Sequence, residues 1–197
     1  MENYKGNGYE QKIDKIRELV EKEMPKLPYH NYEHASRVYG AAEKLANESG
    51  LGYEDSVALR TAALFHDVIL VPGRKDNEER SAEYAKNYLL NVSGYDSEIA
   101  EKVSRLILAT RMPQKPSDLL EGIICDSDLD NLGCEDFVEL GDKVRQEIGI
   151  PAGRGWTEGQ LKFLKSHQYH TEAARRMKDE GKRRNVEYIE KLLQEVK

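Results

Sequence analysis

Cysteine, tryptophan, phenylalanine and long apolar runs are all scarce in this chain. Its 197 residues include 2 Cys, 1 Trp, 3 Phe and 6 Pro. Cys125 and Cys134 are too few for a disulfide framework, and a reducing cytoplasm is the expected setting. No stretch approaches the roughly 18 apolar residues that a membrane span requires. The opening residues, MENYKGNGYEQK, lack the apolar segment of a secretory signal. Positive charge is not in excess either. A formal net charge of −6 weighs against a nucleic-acid-binding surface, which presents a basic face. The one compact basic cluster, Lys182-Arg183-Arg184, lies in an amphipathic stretch and reads as a solvated helix face. Strand signals are missing as well, since no alternating segment is bounded by hairpin turns.

What is present is helical periodicity almost throughout. Ile13, Ile16, Val20 and Met24 mark a first amphipathic helix, ended by Pro25 and Pro28. Ala35, Val38, Ala42 and Leu45 mark a second. A third, from about residue 54 to 69, is apolar on several faces and should be the most buried. Pro72-Gly73 opens a polar loop before a helix carrying Ala82, Ala85 and Leu89. Ile99, Val103, Leu106 and Ile107 form the next, stopped by Pro113 and Pro116. Leu119, Leu120, Ile123 and Ile124 lead into the acidic string CDSDLD, and Phe137, Leu140, Val144 and Ile148 follow at helical spacing. Pro151 to Gly159 reads as a glycine-rich loop containing Trp156, before two final helical stretches. The expected fold is all-α, as one domain over residues 1–197.

The chemistry-bearing residues are few and ordered: His34, the adjacent pair His66-Asp67, and Asp128 within ICDSDLDNLG. Imidazole and carboxylate are the usual protein ligands of a catalytic divalent metal. His30 and His34, four apart in YHNYEHASRV, are expected on one helical face. His66-Asp67 closes the apolar run LRTAALFHD, placing two polar groups at the end of a buried helix. A metal ion would satisfy both. Each signal alone has an ordinary reading. The His pair can be incidental, and His66-Asp67 a hydrogen-bonded dyad. Asp126, Asp128 and Asp130 can form an acidic turn capping a helix N-terminus.

In this order, H…HD…D resembles the signature of the HD superfamily of metal-dependent phosphohydrolases. YHNYEHA together with SDLDN is similar to motifs of the cyclic-nucleotide phosphodiesterases. FHDVI, DNEERSAEYA, LILATR, DSDLDNLG, KVRQEIG, LKFL and RRN extend the likeness to small stand-alone bacterial and archaeal HD proteins. The resemblance implies an HD-domain helical bundle in which His34, His66, Asp67 and Asp128 hold one divalent ion: Mn, Mg, Fe, Co or Ni. The implied reaction is hydrolysis of a phosphoester bond in a small, nucleotide-like substrate, through a metal-activated water.

His30 is implied as the general acid toward the leaving oxygen. Asp126 would stand behind Asp128 or replace it as ligand. Many HD nucleotidases carry an acid shortly after the HD pair, where this chain reads VILVPG, so Glu78 is the candidate that takes over. Asp76 or Asn77 capping a helix would explain the same DNEERSA string. Arg111 and Arg145, in LILATR and KVRQEIG, are candidates for holding phosphate oxygens. No histidine occurs from residue 68 to 127, so a second histidine-ligated ion is not expected, while one bridged by Asp67 stays open. His167 and His170 are expected on a helix surface or in its packing. Three readings fit: a phosphodiesterase, a phosphomonoesterase or nucleotidase, and a non-catalytic metal- and nucleotide-binding sensor. Self-association is left open.

Overall fold

The computed structural model describes residues 3–195, and every regular element among them is helical. In chain order these are α1 (Asn3–Glu23), α2 (Tyr32–Glu48), α3 (Tyr53–Phe65), α4 (Asn77–Asn91), α5 (Ser97–Ala109), α6 (Leu119–Asp128), α7 (Phe137–Glu147), α8 (Arg154–Ser166) and α9 (Glu172–Glu195). A short 3-10 turn, Asp130–Gly133, links α6 to α7.

Helix α3 is the axis of the molecule. Val57 through Phe65 is buried without a break, so the apolar stripe that faces a core in other helices here extends all round. Its two polar residues are provided for. Arg60 donates to Glu10 and to the Tyr39 hydroxyl, and Thr61 Oγ1 lies 3.3 Å from the Tyr95 hydroxyl. Helices α1, α2, α5 and α6 pack around α3, and α4 lies along α5. The main core formed this way also takes in Tyr169, Ala173 and Ala174 from the chain around the start of α9. A smaller cluster, Leu132, Phe137, Leu164 and Ile189, joins the 3-10 turn to α7, α8 and α9.

The last helix approaches the 3-10 turn so closely that only glycine fits at the crossing. A Cβ on Gly181 would lie 2.0 Å from the Gly133 carbonyl oxygen, and one on Gly133 would lie 2.7 Å from that of Lys178.

Four local expectations are corrected. His30 is not on a helix with His34. Asn31 has extended backbone and its side-chain oxygen accepts from the N–H groups of Glu33 and His34, so it caps α2 and leaves His30 in the preceding turn. Helix α3 stops at Phe65 rather than near residue 69, with His66 as its C-cap. The ordinary reading of the acidic string as an N-terminal cap also fails, since Asp126 and Asp128 lie in the last turn of α6 and Asp130 opens the 3-10 turn. Trp156 lies within α8, because the chain turns at Gly153, whose φ of 139° suits glycine, and the helix starts at Arg154.

Candidate active site

Three chain segments deliver four side chains to one point. The first turn of α2 brings His34, the C-terminal end of α3 brings His66 and Asp67, and the last residue of α6 is Asp128. His34 Nε2 and His66 Nε2 stand 3.1 Å apart. Asp67 Oδ2 is 3.6 Å from the first and 3.1 Å from the second. Asp128 Oδ1 is 3.5 and 3.4 Å from the same two atoms. Ligand atoms of His34, His66 and Asp128 all fall within 4.8 Å of one another, as do those of His30, His34 and Asp67.

The donor set fits a divalent ion. His66 Nδ1 lies 2.8 Å from the Ala63 carbonyl oxygen. Donating its N–H there leaves the Nε2 lone pair facing the cluster, the tautomer a metal ligand needs. Gln114 supports the other side, its Nε2 donating to Asp128 Oδ2 at 3.2 Å. The electrostatics agree. Burial pushes His34 below the ordinary imidazole value. Burial opposes charge on His66 too, but Asp67 and Asp128 outweigh it and hold that imidazole well above 6.5. Against their own burial, Asp67 and Asp128 are kept below the usual carboxylate range by the neighbouring imidazoles. Two buried carboxylates therefore draw positive charge into the site, a demand a divalent ion meets.

His30 stands at the rim, its Nε2 3.9 Å from Asp67 Oδ2. Its other ring nitrogen is held by Glu147, 2.5 Å from Oε1. The second oxygen of Glu147 accepts from the backbone N–H groups of Tyr29 and His30 at 3.1 and 3.0 Å. Burial presses the His30 pKa down, yet the bond to Glu147 and the charge of Asp67 raise it above 6.5. Glu147 was not among the sequence candidates. It sits in KVRQEIG, the segment singled out for Arg145.

A cavity of about 440 Å³ opens beside His30 and Asp128. Its wall is mainly apolar, with Met112, Phe137, Val144, Ile148, Trp156 and Phe163 among the lining residues. Asn131 also lines it, and its side-chain oxygen is buried without a hydrogen-bond partner. These residues carry no motif spacing; the wall is assembled by tertiary folding.

The other predicted residues lie elsewhere in the bonding pattern. Asp126 accepts from the N–H groups of His170 and Thr171 and from the Thr171 hydroxyl, at 2.7–2.8 Å. Residues two apart on a helix face different ways, so Asp126 turns from Asp128 toward the chain leading into α9. Arg111 pairs with Glu79, lies 3.9 Å from Glu78 and donates to the Lys75 carbonyl. Arg145 donates to Asp142 and to the Ile150 carbonyl. Among the described residues, no hydrogen bond or ion pair links Glu78, Arg111, Arg145 or Asp126 to the cluster. Asp76 occupies the N-cap position of α4, but its carboxylate accepts from Arg74, while the Asn77 side-chain oxygen accepts from the Val71 N–H. His167 lies at the end of α8, its ring edge-on to Tyr169, and both ring nitrogens are buried without partners.

The profile of the HD domain family matches residues 31–130, a segment that contains all four cluster residues. No curated protein shows significant sequence similarity to the chain. Among solved structures, Bacillus subtilis YpgQ in complex with ADP superposes with a TM-score of 0.73 at 20% identity, over 96% of this chain and 97% of that one. YpgQ in a second crystal structure gives 0.74 at 19% identity, over 95% and 97%. A predicted HD superfamily hydrolase from an uncultured Thermotogales bacterium gives 0.62 at 24% identity, over 94% and 91%. At these identities the likeness speaks to the fold.

Proposed function

Because the chain belongs to the HD family of metal-dependent phosphohydrolases, we propose that it hydrolyses a phosphoester bond of a small, nucleotide-like substrate beside His34, His66, Asp67 and Asp128. The observation that carries this reading is the convergence of those four side chains, with Asp128 and His30 also lining the adjoining 440 Å³ cavity. The complex of Bacillus subtilis YpgQ with ADP supports a nucleotide-like ligand. A divalent ion held by the four residues would lower the pKa of a water and polarise a phosphoryl oxygen.

The chain's own residues supply the rest. Glu147 accepts the Nδ1–H of His30 and so fixes how the ring is turned. Nε2 is then free to carry a proton toward a departing oxygen, and the Glu147 bond and Asp67 charge, which raise the His30 pKa, favour the protonated ring. An alkoxide leaving group benefits most from such an acid, which favours an alkyl or nucleoside ester over an aryl ester as substrate. The apolar wall excludes water from the organic part of the substrate.

The test is metal-supplemented turnover of an aryl phosphate and a bis-aryl phosphate. Activity should depend on added Mn²⁺ and vanish in His66→Ala. Metal-replete protein inactive on both, and on a panel of nucleotides and cyclic nucleotides, would replace this reading with that of a metal- and nucleotide-binding sensor.

A further inference from the structure

We propose that the substrate carries a single phosphoryl group joined to a flat, weakly polar organic group, and that Trp156 and Asn131 select that group. This rests on the reading of the site as a phosphohydrolase centre and narrows it. The cavity beside the cluster is large enough for a nucleoside-sized group, yet no lysine or arginine lines it. Besides the Tyr29 phenol, its ionisable residues are His30 and Asp128. An ionised phosphate placed there would lose its hydration and meet no lysine or arginine, His30 at the cluster end being the one basic side chain on the wall.

The nearby arginines do not change the balance. Arg111 is held by Glu79 and the Lys75 carbonyl, and Arg145 by Asp142 and the Ile150 carbonyl. Arg37, on α2 beside the site, is paired in both its terminal nitrogens with Asp136. The acids of the site, Asp67, Asp128 and Glu147, would oppose every phosphate beyond the one that the ion neutralises. Positive charge enters at the cluster end only, from the ion and from His30, 3.9 Å from Asp67. The apolar wall then takes the organic part, with Trp156 presenting a flat aromatic surface. The Asn131 oxygen, buried without a donor, is matched by an N–H on the organic group, because an unpartnered buried acceptor is costly.

Trp156 is the single tryptophan of the chain, so its fluorescence reports directly on the cavity. Emission would be followed within seconds of mixing with Mn²⁺-loaded protein and a nucleoside monophosphate, its diphosphate, its triphosphate, or ribose phosphate. The monophosphate should bind about tenfold or more tightly than the triphosphate, and ribose phosphate should leave the emission unchanged. Naphthyl phosphate compared with the nucleoside monophosphate, in initial rates, separates an aromatic requirement from a nucleoside one. Asn131→Leu should weaken the nucleoside monophosphate and spare naphthyl phosphate, which has no N–H. Equal or tighter binding of the triphosphate, an unresponsive Trp156, or an Asn131→Leu variant that weakens both esters alike would overturn the proposal. Preferential triphosphate hydrolysis would sink this inference while leaving the phosphohydrolase reading intact. Binding in the expected order without turnover would do the reverse.

Discussion

Glu147 makes three contacts with two consecutive residues, accepting the His30 ring N–H and the backbone N–H groups of Tyr29 and His30. Glu147→Ala should therefore keep its metal, by elemental analysis, and lose about 10²-fold or more in turnover of an alkyl ester. The loss should be smaller on a nitrophenyl ester, whose leaving group departs without a proton. His167 makes a different prediction. Burial and the nearby Lys182 charge push its pKa down from 6.5 to about 4, so between those values the unfolded chain binds a proton that the folded one refuses. Stability should fall as pH drops through that window. At full weight the shift corresponds to about 3 kcal/mol, and solvent in a second, separate cavity that His167 lines with Tyr169 and Lys182 screens it to about 1–2 kcal/mol. Denaturant melts at pH 7 and pH 5 should show this loss, and His167→Leu should shrink it. The residues of the cluster were legible because family order and residue type restricted them together. Glu147 was not, although its segment was noticed: Arg145 and Glu147 lie two apart on α7, and only one of two such positions can face the site.

At the scale of elements, helix periodicity told where apolar faces lie but not how the helices begin. Asn31 capping α2 moved His30 off the helix, and Gly153 let α8 begin early enough to include Trp156. The direction of Asp126 is an element-level matter too, since the chain entering α9 is tied to α6 through that carboxylate. Asp126→Ala should leave metal content unchanged and cost about 1–3 kcal/mol, because three donors lose their acceptor. Loss of the ion in a folded Asp126→Ala protein would restore its assignment as a ligand. The crossing of α9 over the 3-10 turn is a second test. With a Cβ 2.0 Å from a backbone oxygen, Gly181→Ala must push the two segments apart. A cost of about 1–3 kcal/mol is expected, or roughly 2–12 °C in melting temperature. Gly8→Ala, where nothing lies within 4 Å of the new Cβ, serves as the control.

For the whole molecule, the ion would join segments around residues 34, 66 and 128 that otherwise meet only through packing. Removing it with a chelator should lower the melting temperature by several degrees, since a ligand present at about 100 times its Kd contributes about 2.7 kcal/mol. His66→Ala should be insensitive to the chelator. The all-helical fold was readable from periodicity and from the lack of hairpin signals, whereas the cavity was not, because its wall comes from the ends of α5 and α6 and from α7 and α8. That origin has a consequence for how such a protein can diversify. The four cluster residues lie inside the stretch matched by the family profile, 31–130, while Phe137, Val144, Ile148, Trp156 and Phe163 all follow it. Reagent and appetite are thus encoded in successive lengths of one chain. On the proposed function, changes in the second length that keep Glu147 would alter which molecule is accepted while the reacting groups stay in place, so a graft of a relative's α7–α8 segment retaining Glu147 is a direct route to a new preference.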